Sequence, residues 1–551
     1  MTSEIDPMLL MAVSRRMSLG EQLARAARNA PSQVAFSYEG EEVTWAEEDE
    51  RVTRLARALA ERGIGYGDRV AVLMSNKIEV MESYLAVCRL GAIVVPINFR
   101  FAAEEVAYIL KDSGAQIMLC DSELAMIAAG AQAQLRQFDG SLMNCIVAGA
   151  TGETGECLKE GYEQYEDVIA ASSSEAFAIE VPEDVPAFIM YTSGTTGRPK
   201  GAVLSHYNLM VNTFNMMSTM SMGPDDRVWM SGLPLFHVGC LNGFLPYLMT
   251  AGKSVILPSG QFNPVAVVDV LERESATACL FVPAQWQAIC SVPDVRERSF
   301  QLQRILTGGS IAPPSVIRSM ADAFPGVPIY NGFGQTEMSS VTCVLRGDDA
   351  IRKINSVGKP VMNVEVRLVD EDMAEVPAGT VGEIVYRGPT VMQGYWGKPE
   401  ETLAAFKGGW FHSGDLCCMD DEGYVSVVDR KKDMIISGGE NIYCAEVEAV
   451  IDSHVKVREV ALIGISHPHW GETPLAVIVP ADPSDPPTYE EIVLHCKGHL
   501  ASYKKPTHIV IIDELPRNAS GKVLKTVLRE RFGHMEIKGS TNPGLMSEVR
   551  R

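Results

Sequence analysis

Between Asp68 and Cys120 the apolar positions alternate between two periods. "DRVAVLMS" is a continuous apolar run, "KIEVMESYLAVCRL" places its apolar residues at helical spacing, and "AIVVPIN" returns to a β-branched run. "EEVAYILKDSG" followed by "AQIMLC" repeats the helix-then-strand order. This alternation predicts an α/β fold with largely parallel sheets, because a parallel pair needs a crossover and a helix supplies it.

The pattern changes at "DRKKDMIISGGENIY", Asp429 to Tyr443, where a run of charges, an apolar triplet and paired glycines read as a connection between two bodies. Beyond it come a helix ("AEVEAVIDSH"), two strands ("EVALIGIS", "LAVIVP"), a Pro-rich turn, a further helix and the strand "HIVIID". These form a small domain of about a hundred residues, within the usual range. The expected division is a large domain over 1–431, a small one over 432–532 and a mobile tail over 533–551, which has little to bury. No internal repeat is visible.

Composition narrows the classes. The chain has 551 residues, 46% hydrophobic and 21% charged, as in an ordinary globular protein. Its formal net charge of -22 argues against non-specific nucleic-acid binding but not against a locally positive nucleotide site. The start, "MTSEIDPMLLMAVSRRMS", carries acids before its short apolar stretch and is a poor secretory signal. "PMLLMAVSRR" reads as a packed or frayed helix, with peripheral membrane contact as the alternative. "LPLFHVGCLNGFLPYLMTAG" holds His237, Asn242, Pro246 and several glycines, so it reads as buried core beside a site rather than a membrane span. Twelve scattered cysteines without a paired C-x-x-C set point to reduced core thiols and a cytoplasmic location.

"YTSGTTGRPKG", Tyr191 to Gly201, gathers glycines, hydroxyls and two cations on one loop. Glycines let backbone approach an anion, hydroxyls donate to its oxygens, and Arg198 or Lys200 balances its charge. The Walker spacing is not met, since Lys200 is followed by glycine. Phosphate binding is the functional reading and a polar surface turn the bland one. "YNGFGQTE", Tyr330 to Glu337, joins Phe333, suited to a purine, to Thr336 and Glu337, whose carboxylate suits Mg²⁺ beside phosphates. "TGGS", Thr307 to Ser310, fits any strand-to-helix turn. "WFHSGD" places Asp415 after a tight turn, where a capping role competes with ribose binding. Lys522, in "PRNASGK", stands on a polar loop near the chain end, and His237 is flanked by apolar residues.

Taken in order, "YTSGTTGRPKG", "LPLFH", "TGGS", "YNGFGQTE", "WFHSGD", "DRKKDMIISGGENIY" and "PRNASGK" resemble the adenylate-forming superfamily of acyl-CoA synthetases, luciferases and peptide-synthetase adenylation domains. The resemblance runs from about residue 20 to about 532 and is strongest to bacterial fatty-acyl-CoA synthetases of the mycobacterial type. It implies a large N-terminal domain of αβ-layered subdomains, a small mobile C-terminal α+β domain, and ATP, Mg²⁺ and coenzyme A as reactants. The implied reaction makes an acyl-adenylate with release of pyrophosphate, after which the coenzyme A thiol displaces AMP.

Matched position by position, the resemblance implies that Thr192, Ser193, Gly194, Thr195, Thr196, Gly197 and Lys200 hold the β- and γ-phosphates. Glu337 would bind Mg²⁺ and Thr336 the α-phosphate. Gly309, Ser310, Asn331, Gly332 and Phe333 would line the adenine, and Asp415 and Arg430 the ribose. Lys522 would bridge the acid's carboxylate and the α-phosphate. Lys432 would be the hinge, and Gly438, Gly439 and Trp470 the pantetheine channel. Cys444 stands where relatives usually have proline, and Ser310 where alanine is common.

His237, Val238, Gly239, Pro283, Gly308 and Met338 are the expected acyl pocket. Peptide-synthetase adenylation domains carry an acid shortly after the fourth core strand's aromatic to pair an α-ammonium; the corresponding stretch here, "FHVGCLNG", has none, so the resemblance argues against an amino acid substrate. A hydrophobic monocarboxylic acid is expected, a fatty acid first and an aryl acid as the alternative. An AMP ligase without thioester formation would carry an insertion that is not evident, and a luciferase would share all seven motifs. A non-enzymatic nucleotide or acyl sensor would have no need of Lys522. A homodimer is compatible with the sequence.

Overall fold

The computed structural model describes residues 16–533 apart from 140–143, 150–161, 176–179, 193–197, 224, 311, 438–439, 468–469, 498 and 518–521. The chain forms two compact units, one of residues up to 366 with 386–411, the other of 367–385 with the chain from 412 onward.

The first unit contains two large sheets. One has eight strands in the order Gly394–Tyr395, Lys200–Ser205, Pro186–Thr192, Ile93–Pro96, Arg69–Leu73, Ile117–Asp121, Asn144–Ala148 and Tyr162–Gln164. From Pro186–Thr192 to Tyr162–Gln164 its pairs are parallel, as the apolar runs require of strands buried on both faces. Leu73, Val95, Met118 and Ile189 pack there against Ile109 and Leu110 of the Ala103–Ser113 helix.

The other sheet has nine strands, with Arg304–Gly308 between Ala278–Phe281 and Ile329–Gln335, all parallel. Beyond them, Ser340–Leu345 turns back antiparallel on Ile329–Gln335. Trp286, Phe281, Ile305 and Met320 fill one face.

The stretch read as core beside a site is the Val238–Thr250 helix, buried along most of its length with Pro246 inside it. Gly243 lets the helix lie on Trp229, since a Cβ there would meet the indole at 2.2 Å. Among the described residues no helix is long and apolar enough to cross a membrane. Nine of the eleven described cysteines are buried and all eleven are free.

The second unit departs from the parallel expectation. Phe411–Met419 and Val425–Arg430 form an antiparallel hairpin, closed by Asp420, whose carboxylate accepts from the Glu422 and Tyr424 amides. "WFHSGD" is therefore the start of a strand, and Asp415 stands within it rather than after a turn. A five-stranded sheet follows, in which Val457–His467 and Gly471–Pro480 pair antiparallel and His508–Ile511 adds in parallel. The Cys444–Asp452 and Tyr489–Lys497 helices cover it, with Ile451, Leu462, Ile478 and Ile492 in the core.

Candidate functional site

Two antiparallel strands carry the ends of the glycine-rich loop, with Thr192 opposite Lys200. Both ends are tied to the Ala103–Ser113 helix. The Tyr191 hydroxyl donates to Asp112 at 2.8 Å, and Lys398 pairs with the same carboxylate at 3.0 Å. The Tyr108 hydroxyl donates to the Pro199 carbonyl at 3.0 Å, beneath the Arg198 guanidinium. Burial, then Asp112, pushes the Tyr191 pKa far up, so this tyrosine stays a donor. Ser193, Gly194, Thr195, Thr196 and Gly197 lie outside the described residues.

Facing these ends is Glu337, on the 3₁₀ turn Thr336–Met338. Its Oε1 accepts from the Tyr395 hydroxyl at 3.1 Å and from the Thr192 hydroxyl at 3.3 Å. The Lys200 ammonium stands 5.2 Å from the Tyr395 ring centre. Thr192, Lys200 and Glu337 are thus brought together. Tyr395 was not singled out in the sequence; its one signal is an aromatic between glycines in "MQGYWG". Burial and the neighbouring carboxylate raise its pKa, so it too remains a donor.

The donor set fits Mg²⁺. Among the described residues no cluster of three or more His, Cys, Asp or Glu could cage a metal, leaving one carboxylate among hydroxyls. Mg²⁺ characteristically takes one or two carboxylates and completes its shell from substrate phosphates and water. Glu337 would hold it, and the ion would neutralise charge on the phosphate oxygens.

Strands Arg304–Gly308 and Ile329–Gln335 run in register, with Gly308 opposite Gly332. A Cβ on Gly308 would meet the Gly332 carbonyl oxygen at 2.7 Å, so only glycine permits this approach. Gly309 follows at a φ of 79° and Ser310 is exposed. Asn331 is buried beside them and Phe333 half-buried. The expected adenine residues therefore share one sheet end.

His237 caps the Val238–Thr250 helix, its Nδ1 accepting from the Gly239 amide at 3.1 Å. Burial pushes its pKa down to about 4, which makes it a neutral polar group at pH 7. Val238, Pro283 and Met338 are buried apolar residues, and Gly239 leaves its imidazole neighbour room.

In the second unit Asp415 and Arg430 are paired across the hairpin, with Arg430 Nε 2.5 Å from the Asp415 carboxylate. Asp415 is buried and its amide donates to Ser413 Oγ. Lys522 keeps a solvent-facing surface, yet its pKa is pushed down to about 8. Desolvation of the ammonium is the first cause, followed by Arg430 and then Lys432, against Asp415 and Asp433. Lys522 thus shares one charged neighbourhood with both ribose candidates and with Lys432, which lies in the turn after the hairpin. Trp470 is half exposed, its amide donating to His467 Nδ1. Gly438 and Gly439 lie outside the described residues. Cys444 opens its helix without strain: its thiol donates to the Asp433 carbonyl and its amide to Asp429.

Comparison with known proteins shows the family. The family model for AMP-binding enzymes matches residues 23–396, and that for the AMP-binding enzyme C-terminal domain matches 446–522. A feruloyl-CoA synthase of an Amycolatopsis species is 39% identical over 94% of this chain and all of its own length. An indoleacetate–CoA ligase of Aromatoleum aromaticum is 35% identical, covering 93% of this chain and 98% of its own. The long-chain-fatty-acid–CoA ligase FadD13 of Mycobacterium tuberculosis is 34% identical, covering 94% and 98%. The crystal structure of ATP-bound MatB from Rhodopseudomonas palustris superposes with a TM-score of 0.83 at 30% identity, covering 94% of this chain and all of that one. The chain belongs to the AMP-binding enzymes, and it is an AMP-forming acid–thiol ligase that uses ATP, Mg²⁺ and coenzyme A.

Proposed function

We propose that the acid activated by this ligase carries an aromatic ring close to its carboxylate. The carrying observation is how the Val238–Thr250 helix packs below His237. Trp229 packs tilted against Tyr247 and Phe244 stacks on Phe36, leaving a cavity of about 20 Å³ lined by Met81, Trp229, Cys240 and Phe244 among others. That is room for about one water molecule. An alkyl chain running down this face would have to displace an indole or a phenyl group, whereas a ring needs breadth near the carboxylate rather than depth. Relatives named for feruloyl and indoleacetate substrates support the reading. A fatty acid is the second reading, favoured by the long-chain-fatty-acid relative.

Within this proposal Thr192, Lys200 and the loop between them grip the phosphates, Glu337 holds Mg²⁺, and Thr336 contacts the α-phosphate. Gly309, Ser310, Asn331, Gly332 and Phe333 face adenine; Asp415 and Arg430 take the ribose. His237, Val238, Gly239, Pro283, Gly308 and Met338 surround the acyl group. Lys522 donates to the attacking carboxylate and the α-phosphate, so that the two anions meet in line. A small domain over 432–532 then turns about Lys432, bringing Gly438, Gly439 and Trp470 to the pantetheine arm.

Mass spectrometry of products from Mg-ATP, coenzyme A and a pool of acids tests the reading. The pool spans short to very long fatty acids, benzoates, cinnamates and arylacetates. Aryl or arylalkenoyl thioesters with AMP are expected. Fatty-acyl thioesters alone would replace the first reading with the second.

A further inference from the structure

Glu337 is carried on a backbone that would not hold its shape unaided. Two residues on, Ser339 has a φ of 57° and Ser340 a φ of 108°, both in the left-handed range that side-chain-bearing residues rarely adopt. The reversal is tight. A Cβ on Gly334 would stand 1.7 Å from the Ser340 carbonyl oxygen, so the outgoing strand presses on the incoming one. Carbonyls along such a turn lack a regular ladder to accept into and need donors from elsewhere.

Two buried amides supply them. Asn212, on the His206–Thr219 helix, donates its Nδ2 to the Met338 carbonyl at 3.3 Å and to the Val341 carbonyl at 2.9 Å. Asn242, on the Val238–Thr250 helix, donates its Nδ2 to the Ser339 carbonyl. Ser339 Oγ donates to the Thr390 carbonyl at 2.8 Å, and the Met392 amide to the Glu337 carbonyl at 2.8 Å. Both asparagines are fully buried, and neither Oδ1 has a hydrogen-bond partner among the described residues. A leucine would fill the same space without leaving an unsatisfied oxygen. What the amide adds is its donor side, aimed at the strained backbone.

We propose that Asn212 and Asn242 are positioning residues for Glu337. They hold the left-handed turn at Ser339–Ser340 so that the carboxylate faces the Thr192 and Tyr395 hydroxyls, where a metal-bound triphosphate would sit. The inference rests on the reading of Glu337 as the Mg²⁺ carboxylate. It adds a function for two core polar residues that touch neither nucleotide nor acid.

The test compares Asn212→Leu, Asn242→Leu and Glu337→Gln in the full-length enzyme. Mg²⁺ is titrated in acid-dependent ATP–pyrophosphate exchange, and Mn²⁺ binding with a non-hydrolysable ATP analogue is followed by electron paramagnetic resonance. Each leucine variant should raise the half-saturating Mg²⁺ concentration and the Mn²⁺ dissociation constant about tenfold. Thioester formation from supplied acyl-adenylate should stay within about twofold. Adding Ser340→Gly, which tolerates the left-handed backbone, should restore part of the lost metal affinity in Asn242→Leu. Should a leucine variant fail to melt cooperatively, Asn212→Ser or Asn242→Ser takes its place with the same expected shift. Unchanged metal affinity in the asparagine variants beside a clear shift in Glu337→Gln overturns the proposal. No shift in Glu337→Gln removes the reading of Glu337 on which the proposal rests.

Discussion

The Tyr395 hydroxyl donates to the Glu337 carboxylate across 3.1 Å, from a two-residue strand far along the chain. It shares that oxygen with Thr192, so one carboxylate joins the sheet edge to the end of the glycine-rich loop. A hydrogen bond to a charged group contributes about 1.5 kcal/mol or more. Tyr395→Phe should therefore cost about 1.5 kcal/mol of stability and lower kcat/KM for adenylation roughly tenfold, as calorimetry and pyrophosphate exchange would show. An unchanged exchange rate would remove Tyr395 from the site.

In the role proposed for Lys522 the ammonium is the working form, and desolvation pushes its pKa down to about 8. Adenylation kcat/KM should therefore be flat below about pH 7 and fall as pH rises through 8, because deprotonation removes the charge. Lys522→Ala should cost roughly 10²–10³ in adenylation and spare thioester formation from supplied acyl-adenylate. Lys522→Arg, protonated throughout, should lose the alkaline fall although its geometry lowers the rate. Equal losses in both half-reactions would end the assignment.

Gly334 and Gly326 form a matched pair for stability. A Cβ on Gly334 meets backbone at 1.7 Å, while one on Gly326, at a φ of 81°, meets nothing within 4 Å. Gly326→Ala should cost about 1 kcal/mol from its backbone conformation alone. Gly334→Ala should cost about 3 kcal/mol or more and abolish adenylation, since the strands flanking Glu337 must part. Denaturant melts with activity assays separate the two.

On the proposed reading Trp229, packed on Gly243, blocks the way down the Val238–Thr250 helix. Trp229→Leu should cost about 2 kcal/mol of stability by opening space in the core. The same space should let longer acids react, each added buried methylene gaining about 0.8 kcal/mol until the new cavity is full. A chain-length series of kcat/KM values reads this directly; an unaltered series would place the acyl group elsewhere.

Much of this was legible in the sequence, for identifiable reasons. The parallel strands are continuous β-branched runs between amphipathic helices, a local pattern that burial on both faces imposes. That Thr192, Lys200 and Glu337 gather in one place was legible because hydroxyls, glycines and a carboxylate of the kind phosphate and Mg²⁺ would need cluster in short motifs. Asp415 was read after a turn because "HSGD" has turn composition, but pairing with Arg430 draws it into a strand. Tyr395 escaped notice because its contact is made by tertiary pairing of a strand too short to leave a period. The left-handed Ser339–Ser340 backbone left no trace either. Serine does not announce positive φ as glycine does, and the amides that hold it come from two helices more than ninety residues upstream.

The short Gly394–Tyr395 strand also sets an order of events during synthesis. It closes the edge of the eight-stranded sheet by pairing with Ala202 and Val203. Those partners leave the ribosome about 190 residues earlier, which at roughly 5–20 residues per second is an interval of about 10–40 s. Throughout it the Lys200–Ser205 strand, apolar and well paired on one side only, offers an open edge to any other extended segment. The residues that complete the Glu337 site are thus also the cap that ends the nascent chain's exposure to misassembly.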